Sequence, residues 1–299
     1  MNAPSAGAPR APRVSVVVPA YDNAAFIEET IDSILAQTFT DFELVVSDHS
    51  STDGTWELLQ RYAPDPRVTL VRTDAGGGAR RNWNRVTELA TGELVKLVCG
   101  DDLLRPTCLE EQVRAFDEGG PDVVLVASQR DIVDARGATF IRGRGLARLD
   151  GVVDGAEALR ATVRSGSNVF GEPACVLLRR DALERAGGWQ DLRYFIDAGT
   201  YARVLAQGDA VALRRSLAAF RVSAAQWSVR LARQQAQEAA EFHRSARALA
   251  PEVISGTDVR LGDLKARVAA VQRRVAYLLL GRRMHPVETS PAGARSATD

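Results

Sequence analysis

Apolar and polar positions along this chain fall into alternating blocks, in the order strand, helix, strand, helix. Val14-Ser15-Val16-Val17-Val18 is continuous and β-branched, the pattern of a strand covered on both faces. Pro19 ends it. From Ala24 to Gln37, Ile27, Ile31, Ile34 and Leu35 recur at helical spacing, with Asn23 placed as an N-cap. Phe42 to Val46 reads as the second strand, Thr55 to Tyr62 as a helix, and Val68 to Val71 as the third strand. Gly76-Gly77-Gly78 precede a helix expected from about Arg80 to Ala90, with Trp83, Val86 and Leu89 on one side. Leu94 to Val98 is the fourth strand, and Asp122 to Ala127 the fifth. Between them a helix opens at Thr107-Cys108-Leu109-Glu110, a capping-box pattern.

This alternation predicts an α/β fold with a mostly parallel central sheet and helices on both faces. The regularity loosens after Ser128. Residues 129–170 read as a hairpin and a small helix, and Pro173 to Leu178 as another strand. Asp181 to Ala186 and Ala198 to Gln207 read as helices, with a turn at Gly187-Gly188-Trp189 between them. From Gln226 to about Ala250, and from Leu261 to Arg283, the composition is Ala/Arg/Gln/Leu-rich, which predicts a two-helix C-terminal appendage.

Composition narrows the function classes. The 38 basic and 38 acidic residues among 299 cancel, so there is no global electrostatic case for nucleic-acid binding. Cys99, Cys108 and Cys175 show no CxxC spacing and read as reduced thiols in a cytosolic protein. No stretch approaches the ~18 apolar residues of a membrane span.

The chemistry lies at the strand ends. Asp101 and Asp102 come directly after the fourth strand, where two adjacent carboxylates repel and are costly to desolvate. A divalent cation and a polyphosphate would justify them. Earlier strand ends carry Pro19-Ala20-Tyr21-Asp22, then Asp48-His49-Ser50-Ser51-Thr52-Asp53-Gly54-Thr55, then Asp74 through Asn82 with Arg80 and Arg81. In an open α/β sheet such ends face one crevice. An aromatic and carboxylates for a nucleoside, and arginines and helix N-termini for phosphates, would converge there. Singly, each feature has a plainer reading. Asp53-Gly54 alone is a tight turn, and Arg80 and Arg81 alone are solvated side chains. The triple glycine fits neither GxxxxGK[ST] nor GxGxxG and reads as a helix-start turn. In this order on consecutive strand ends, the set is much harder to explain by accident.

Together these segments resemble the family 2 inverting glycosyltransferases with a GT-A fold. The resemblance is carried by Val16 to Tyr21, Asp48 to Thr55, Arg81-Asn82-Trp83-Asn84-Arg85 and Leu97 to Leu104. Gly171-Glu172-Pro173, Gly187-Gly188-Trp189 and Phe195-Ile196-Asp197 extend it, so that it covers about residues 13–230. The resemblance implies roles. Pro19, Ala20 and Tyr21 would line the nucleobase pocket, Asp48 would hydrogen-bond the base, and Arg81 would help hold the nucleotide. Asp101 would be the ribose-side acid, Asp102 the direct ligand to Mg²⁺ or Mn²⁺, and Asp197 the general base, with Asp191 as its nearest rival. The implied substrates are a nucleotide-sugar donor, a UDP-sugar by default, and a hydroxyl acceptor borne by a glycan or lipid.

Three positions depart from the family pattern. Gly100 stands where a first acid of the DxD signature often lies, His49 where many relatives carry an acid or amide, and Ser223 where some carry a histidine near the metal. These departures keep a second reading open, a non-catalytic nucleotide-sugar-binding protein on the same fold. A sugar nucleotidyltransferase ranks lower, because Pro19-Ala20-Tyr21-Asp22 lacks its Gly-rich basic signature.

The expected organisation is a flexible leader (1–12) and a catalytic domain (13–225). Its nucleotide-binding half covers about 13–127 and its acceptor half about 128–225. A helical appendage (226–284) and a flexible tail (285–299) follow. The last helix carries Arg273-Arg274, Tyr277, Leu278-Leu279-Leu280 and Arg282-Arg283. Such a helix can pack on the catalytic domain, mediate dimerisation or lie on an anionic membrane, packing being the more frequent fate. The expected location is cytoplasmic, with peripheral contact at the inner face of the membrane as a variant.

Overall fold

The structure, a computed structural model, describes residues 10–192, 194–223 and 235–285. Most of the leader and tail, and positions 226–234 of the expected appendage, lie outside the described residues. Ten strands form one sheet: β1 (Val14–Ala20), β2 (Phe42–Asp48), β3 (Val68–Arg72), β4 (Leu94–Leu97), β5 (Leu103–Leu104), β6 (Val123–Asp134), β7 (Thr139–Arg144), β8 (Gly151–Val153), β9 (Val176–Arg179) and β10 (Asp209–Val222). Their order is β3-β2-β1-β4-β9-β6-β10-β5, with β7 on β6 and β8 on β10. β1, β2, β3 and β4 pair in parallel, as do β6 and β10, whereas β9 runs antiparallel to both β4 and β6.

The described helices are α1 (Ile27–Leu35), α2 (Thr55–Leu59), α3 (Gly78–Glu88), α4 (Cys108–Gly119), α5 (Gly155–Ser165), α6 (Arg180–Arg185), α7 (Ile196–Leu205), α8 (Gln235–Leu249) and α9 (Gly256–Leu280). All seven residues of β1 are buried, so both of its faces are covered. Ile27, Ile31 and Ile34 of α1 point into the same core as Val16, Val18 and Leu44. A second core joins Leu159 and Val163 of α5, Ala198 and Ala202 of α7, Phe242 and Ala246 of α8, and Ala266 of α9. Phe195, just before α7, stacks on Phe242 at 5.4 Å. α8 therefore braces α7, the helix that carries Asp197, and α9 packs against α5 and α8 behind it.

Several local expectations are corrected. β10 is the longest strand, yet its sequence gave no strand signal. Asn23 does not cap α1, whose N-cap is Phe26 with no side-chain bond. The Asn23 Oδ1 instead accepts the Tyr21 N–H at 2.9 Å. Thr107 does precede α4, but its hydroxyl donates to Glu111 rather than capping the backbone. The expected strand from Pro173 begins only at Val176, after a short 3₁₀ turn.

A true capping box opens α9. Ser255 Oγ accepts the Asp258 N–H at 3.1 Å, and Asp258 Oδ2 accepts the Ser255 N–H at 3.0 Å. Arg160 and Arg164 of α5 pair with the same buried carboxylate. Although burial opposes ionisation, these hydrogen bonds and arginines pull the Asp258 pKa down to about 2. A depressed carboxyl stabilises the fold above its unfolded-state pKa, and the contribution disappears as pH falls through about 2. Asp258→Asn is therefore expected to cost about 1–2 kcal/mol near neutrality. In urea denaturation, the gap from the unmodified chain should close at strongly acidic pH.

Candidate active site

Parallel register sets Ala20 beside Asp48 and Pro19 beside Ser47 at the ends of β1 and β2. Both chains then turn sharply. Asp22 (φ 47°) and Ser50 (φ 55°) occupy the left-handed region that non-glycine residues seldom adopt. Side chains hold these turns against each other. Asp22 Oδ1 accepts the Thr52 N–H at 2.9 Å, Ser51 Oγ accepts the Asp22 N–H at 3.0 Å, and Asp53 Oδ2 accepts the Ala24 N–H at 2.9 Å. Asp22 and Asp53 are thus spent on the scaffold.

Tyr21 is 55% exposed, with its ring 5.9 Å from that of His49, and offers a face on which a flat ring can stack. His49 Nε2 lies 2.8 Å from the Gly76 carbonyl oxygen. A carbonyl only accepts, so Nε2 carries the proton. Arg81 Nη1 donates to the same oxygen at 3.3 Å and to the carbonyls of Asp74 and Ala75 at 3.4 Å. Gly76, Gly77 and Gly78 all have positive φ, and a Cβ on Gly77 would lie 2.5 Å from Arg81 Cδ. Loop and arginine form one unit. A cavity of about 390 Å³ opens beside it, lined by Arg72, Thr73, Asp74, Arg81, Asn84, Arg85 and Glu88. Asp101, Asp102 and Asp197 do not line that cavity.

Asp48 is fully buried. Its Oδ2 accepts from Arg72 Nε at 3.2 Å and the Ser51 N–H at 3.3 Å, while Oδ1 is buried without a hydrogen-bond partner. Next to Arg81, Asn82 donates to the carbonyls of Ala20 and Ser47, clamping the two strand ends.

The acidic side begins at Gly100. A Cβ there would lie 2.5 Å from Asn23 Oδ1, the atom that holds the Tyr21 N–H. A side chain at residue 100 would have to displace Asn23 from this contact. Asp102 is 1% exposed, its Oδ1 accepting the Arg221 N–H at 3.1 Å and its Oδ2 buried without a partner. Arg221, itself buried, donates through Nε to the Asp101 carbonyl at 3.0 Å.

On α7, Asp197 Oδ2 accepts from Asn168 Nδ2 at 2.9 Å, and its Oδ1 accepts the Ala198 N–H at 2.6 Å. Glu172 forms an ion pair with buried Arg130. Burial raises the Cys99 thiol pKa, and the charges of Asp102, Asp101, Asp197 and Glu172 raise it further. Four carboxylates from three separate segments of the chain therefore share the neighbourhood of Cys99. Burial pushes Asp101 and Asp102 up together, the charges of Asp101 and Glu172 adding to the shift of Asp102. Asp197 is pushed up to about 7, chiefly by burial. Asp191 stands apart, exposed and 3.5 Å from Arg80.

Among the described residues, no group of three or more His, Cys, Asp or Glu side chains is arranged to hold a metal ion. Ser223 is buried and adds no imidazole. The partnerless Oδ2 of Asp102 is nevertheless a hard anionic oxygen suited to Mg²⁺ or Mn²⁺, provided phosphate oxygens and water complete the shell.

The profile of "Glycosyl transferase family 2" matches residues 15–187, more than half of the chain. The chain belongs to this family. It is 30% identical over 205 residues to the uncharacterized protein MT1568 of Mycobacterium tuberculosis, a match covering 66% of this chain and 63% of that protein. It is 33% identical over 118 residues to the poly(ribitol-phosphate) beta-N-acetylglucosaminyltransferase TarS of Staphylococcus aureus, covering 38% of this chain and 20% of TarS. The chain spans less than two thirds of the length of these relatives. The fold is similar to that of S. aureus TarS with UDP-GlcNAc (TM-score 0.64, 18% identity, covering 89% of this chain and 73% of that one). It is likewise similar to the mannosyltransferase PcManGT of Pyrobaculum calidifontis with GDP-Man and Mn²⁺ (TM-score 0.60, 22% identity, 91% and 80%). The GT-A resemblance read from the strand ends is thus met by family membership and by fold, including the C-terminal helices.

Four side chains that touch or border the acidic residues were not assigned from sequence: Asn168, Arg130, Glu172 and Arg221. Only Glu172 had a signal, in Gly171-Glu172-Pro173. The contact between Gly100 and Asn23 yields a prediction. Gly100→Ala is expected to cost about 1–3 kcal/mol in thermal or urea denaturation, as overpacking does. In an Asn23→Ala background most of that cost should vanish.

Proposed function

We propose that this chain is a metal-dependent inverting glycosyltransferase that moves a sugar from a nucleotide-sugar donor to a hydroxyl acceptor in glycan or glycoconjugate synthesis. The observation that carries this reading is that the charges of Asp101, Asp102, Asp197 and Glu172 all act on Cys99, with the buried Asp102 Oδ2 left partnerless. Desolvating several carboxylates side by side is costly unless a cation and its ligands enter among them.

In this reading Tyr21 stacks on the base, Asp48 accepts from it, and Pro19 and Ala20 form its floor. Asp101 binds the ribose side. Arg81 shapes the glycine loop that borders the nucleotide and does not reach into the acidic cluster. Mg²⁺ or Mn²⁺ held by Asp102 would neutralise the charge that develops on the leaving diphosphate. Asp197 takes the proton of the acceptor hydroxyl as it attacks opposite the leaving group, which inverts the anomeric centre. Asn168 fixes the Asp197 carboxylate in place. A UDP-sugar is the first donor to test, since similar structures hold UDP-GlcNAc, with GDP-mannose second. The division into a nucleotide half (about 13–127), an acceptor half (about 128–225) and a helical appendage belongs to the same proposal, as does a cytoplasmic location. A nucleotide-sugar-binding protein without transferase activity is the second reading, motivated by Gly100 and Ser223 and by the lack of a three-residue metal set among the described residues.

Asp102→Ala is expected to abolish both transfer and Mn²⁺-dependent binding of nucleoside diphosphate in calorimetry. Full activity in that variant would remove the metal assignment. Asp197→Asn should keep donor affinity and lose roughly 10²- to 10⁴-fold in turnover. Loss of donor affinity instead would move the base elsewhere. Because Asp197 acts only when ionised, kcat/KM should rise as pH increases through about 7 and level off above it. Diphosphate binding with no transfer to any acceptor would select the second reading.

A further inference from the structure

α9 is apolar on two opposite faces. Ala266 and Ala270 are buried, Ala266 within the second core. On the opposite side Leu264, Val268, Val271, Val275 and Leu279 stand 50 to 82% exposed. Steps of four, three, four and four residues hold these five side chains in one stripe along the helix. Among the described residues nothing covers it.

The borders of the stripe are cationic. Arg260 and Arg267 lie seven positions apart along one border and Lys265 lies on the other, all three exposed. α9 contains two carboxylates, and both are engaged. Asp258 is held by Ser255, Arg160 and Arg164, and Asp263 by His243. A second copy of this helix would set cations against cations along the seam, which disfavours self-pairing. An anionic bilayer satisfies both features, with phosphate headgroups for the cations and the acyl boundary for the stripe. The helix is not long and apolar enough to cross a membrane.

The far end of α9 returns to the acidic site. Leu280 and Met284 pack with Ile132, Phe140 and Val222 at the ends of β6, β7 and β10. The Arg283 carbonyl accepts the Ala135 N–H at 3.1 Å, and the Ala135 carbonyl accepts from Arg221 Nη1 at 3.5 Å.

We propose that α9 lies along an anionic lipid surface, inserting Leu264, Val268, Val271, Val275 and Leu279 between Arg260 and Arg267 on one border and Lys265 on the other. This surface goes beyond the transferase reading and does not rest on it.

The test is flotation of the full chain with vesicles of phosphatidylcholine containing phosphatidylglycerol, beside vesicles of phosphatidylcholine alone. The protein should float with the anionic vesicles, stay behind with the neutral ones, and be released by molar salt. Arg260→Gln combined with Arg267→Gln should lower partitioning roughly 25-fold, about fivefold per cation. Val268→Asp combined with Val271→Asp should abolish it. All four positions are exposed, so circular dichroism should match the unmodified chain. Equal flotation with neutral vesicles, or flotation that survives Val268→Asp/Val271→Asp, would overturn the proposal. So would a dimer in light scattering that the same substitutions split. Nucleotide binding measured on the same samples separates failure here from failure of the catalytic reading.

Discussion

An arginine that water barely reaches ties the acidic rim together. Arg221 on β10 is 1% exposed, and burying a guanidinium costs several kcal/mol unless its donors are used. Here they reach the Asp101 carbonyl, the Ala135 carbonyl and Glu29 of α1, with the cation 4.6 Å from the Phe26 ring centroid. Its own N–H fixes one oxygen of Asp102. One residue thus locks α1, the turn after β4 and the end of β6 onto β10. Its charge also draws down the proton affinity of the two aspartates that burial raises. The other oxygen of Asp102 is what this arrangement leaves for a ligand.

The first four strands were legible because they are short, β-branched and punctuated by polar ends. β10 was not. Its run Ala212-Leu213-Arg214-Arg215-Ser216-Leu217-Ala218 is rich in helix formers, and pairing with β6 slips around Ser216, which breaks the alternation a strand should show. Asp48, Asp101 and Asp102 could be read because they sit at or just after strand ends, whereas Asp197, the second residue of α7, was marked only by the family resemblance. Arg221, Arg130 and Asn168 could not be read, since their partners are distant in sequence and no local pattern marks them. Asn23 illustrates the same limit, because a capping rule looks along the chain while its side chain was claimed by a turn. The C-terminal helix drew attention at Arg273 to Arg283, which includes the exposed Leu279, yet its exposed apolar positions begin earlier, at Leu264.

The two cores divide the work. The larger one sets the strand ends of β1, β2 and β4, and so the face proposed to meet a nucleoside. The smaller one, between α5, α7, α8 and α9, fixes the helix that presents Asp197. The acidic cluster sits where the two meet, so the distance between its two sides depends on both.

β9 fills the gap between β4 and β6, with Leu178 facing Val95 on one side and Leu125 on the other. During synthesis, strands β1 to β4 emerge long before this plug exists, leaving the backbone of β4 open along one side. An unfilled β4 is a sticky seam that another chain can invade. Closure waits for Val176–Arg179, and that late long-range pairing should be a slow step in maturation. A nascent chain stalled before it would be the form most in need of a chaperone.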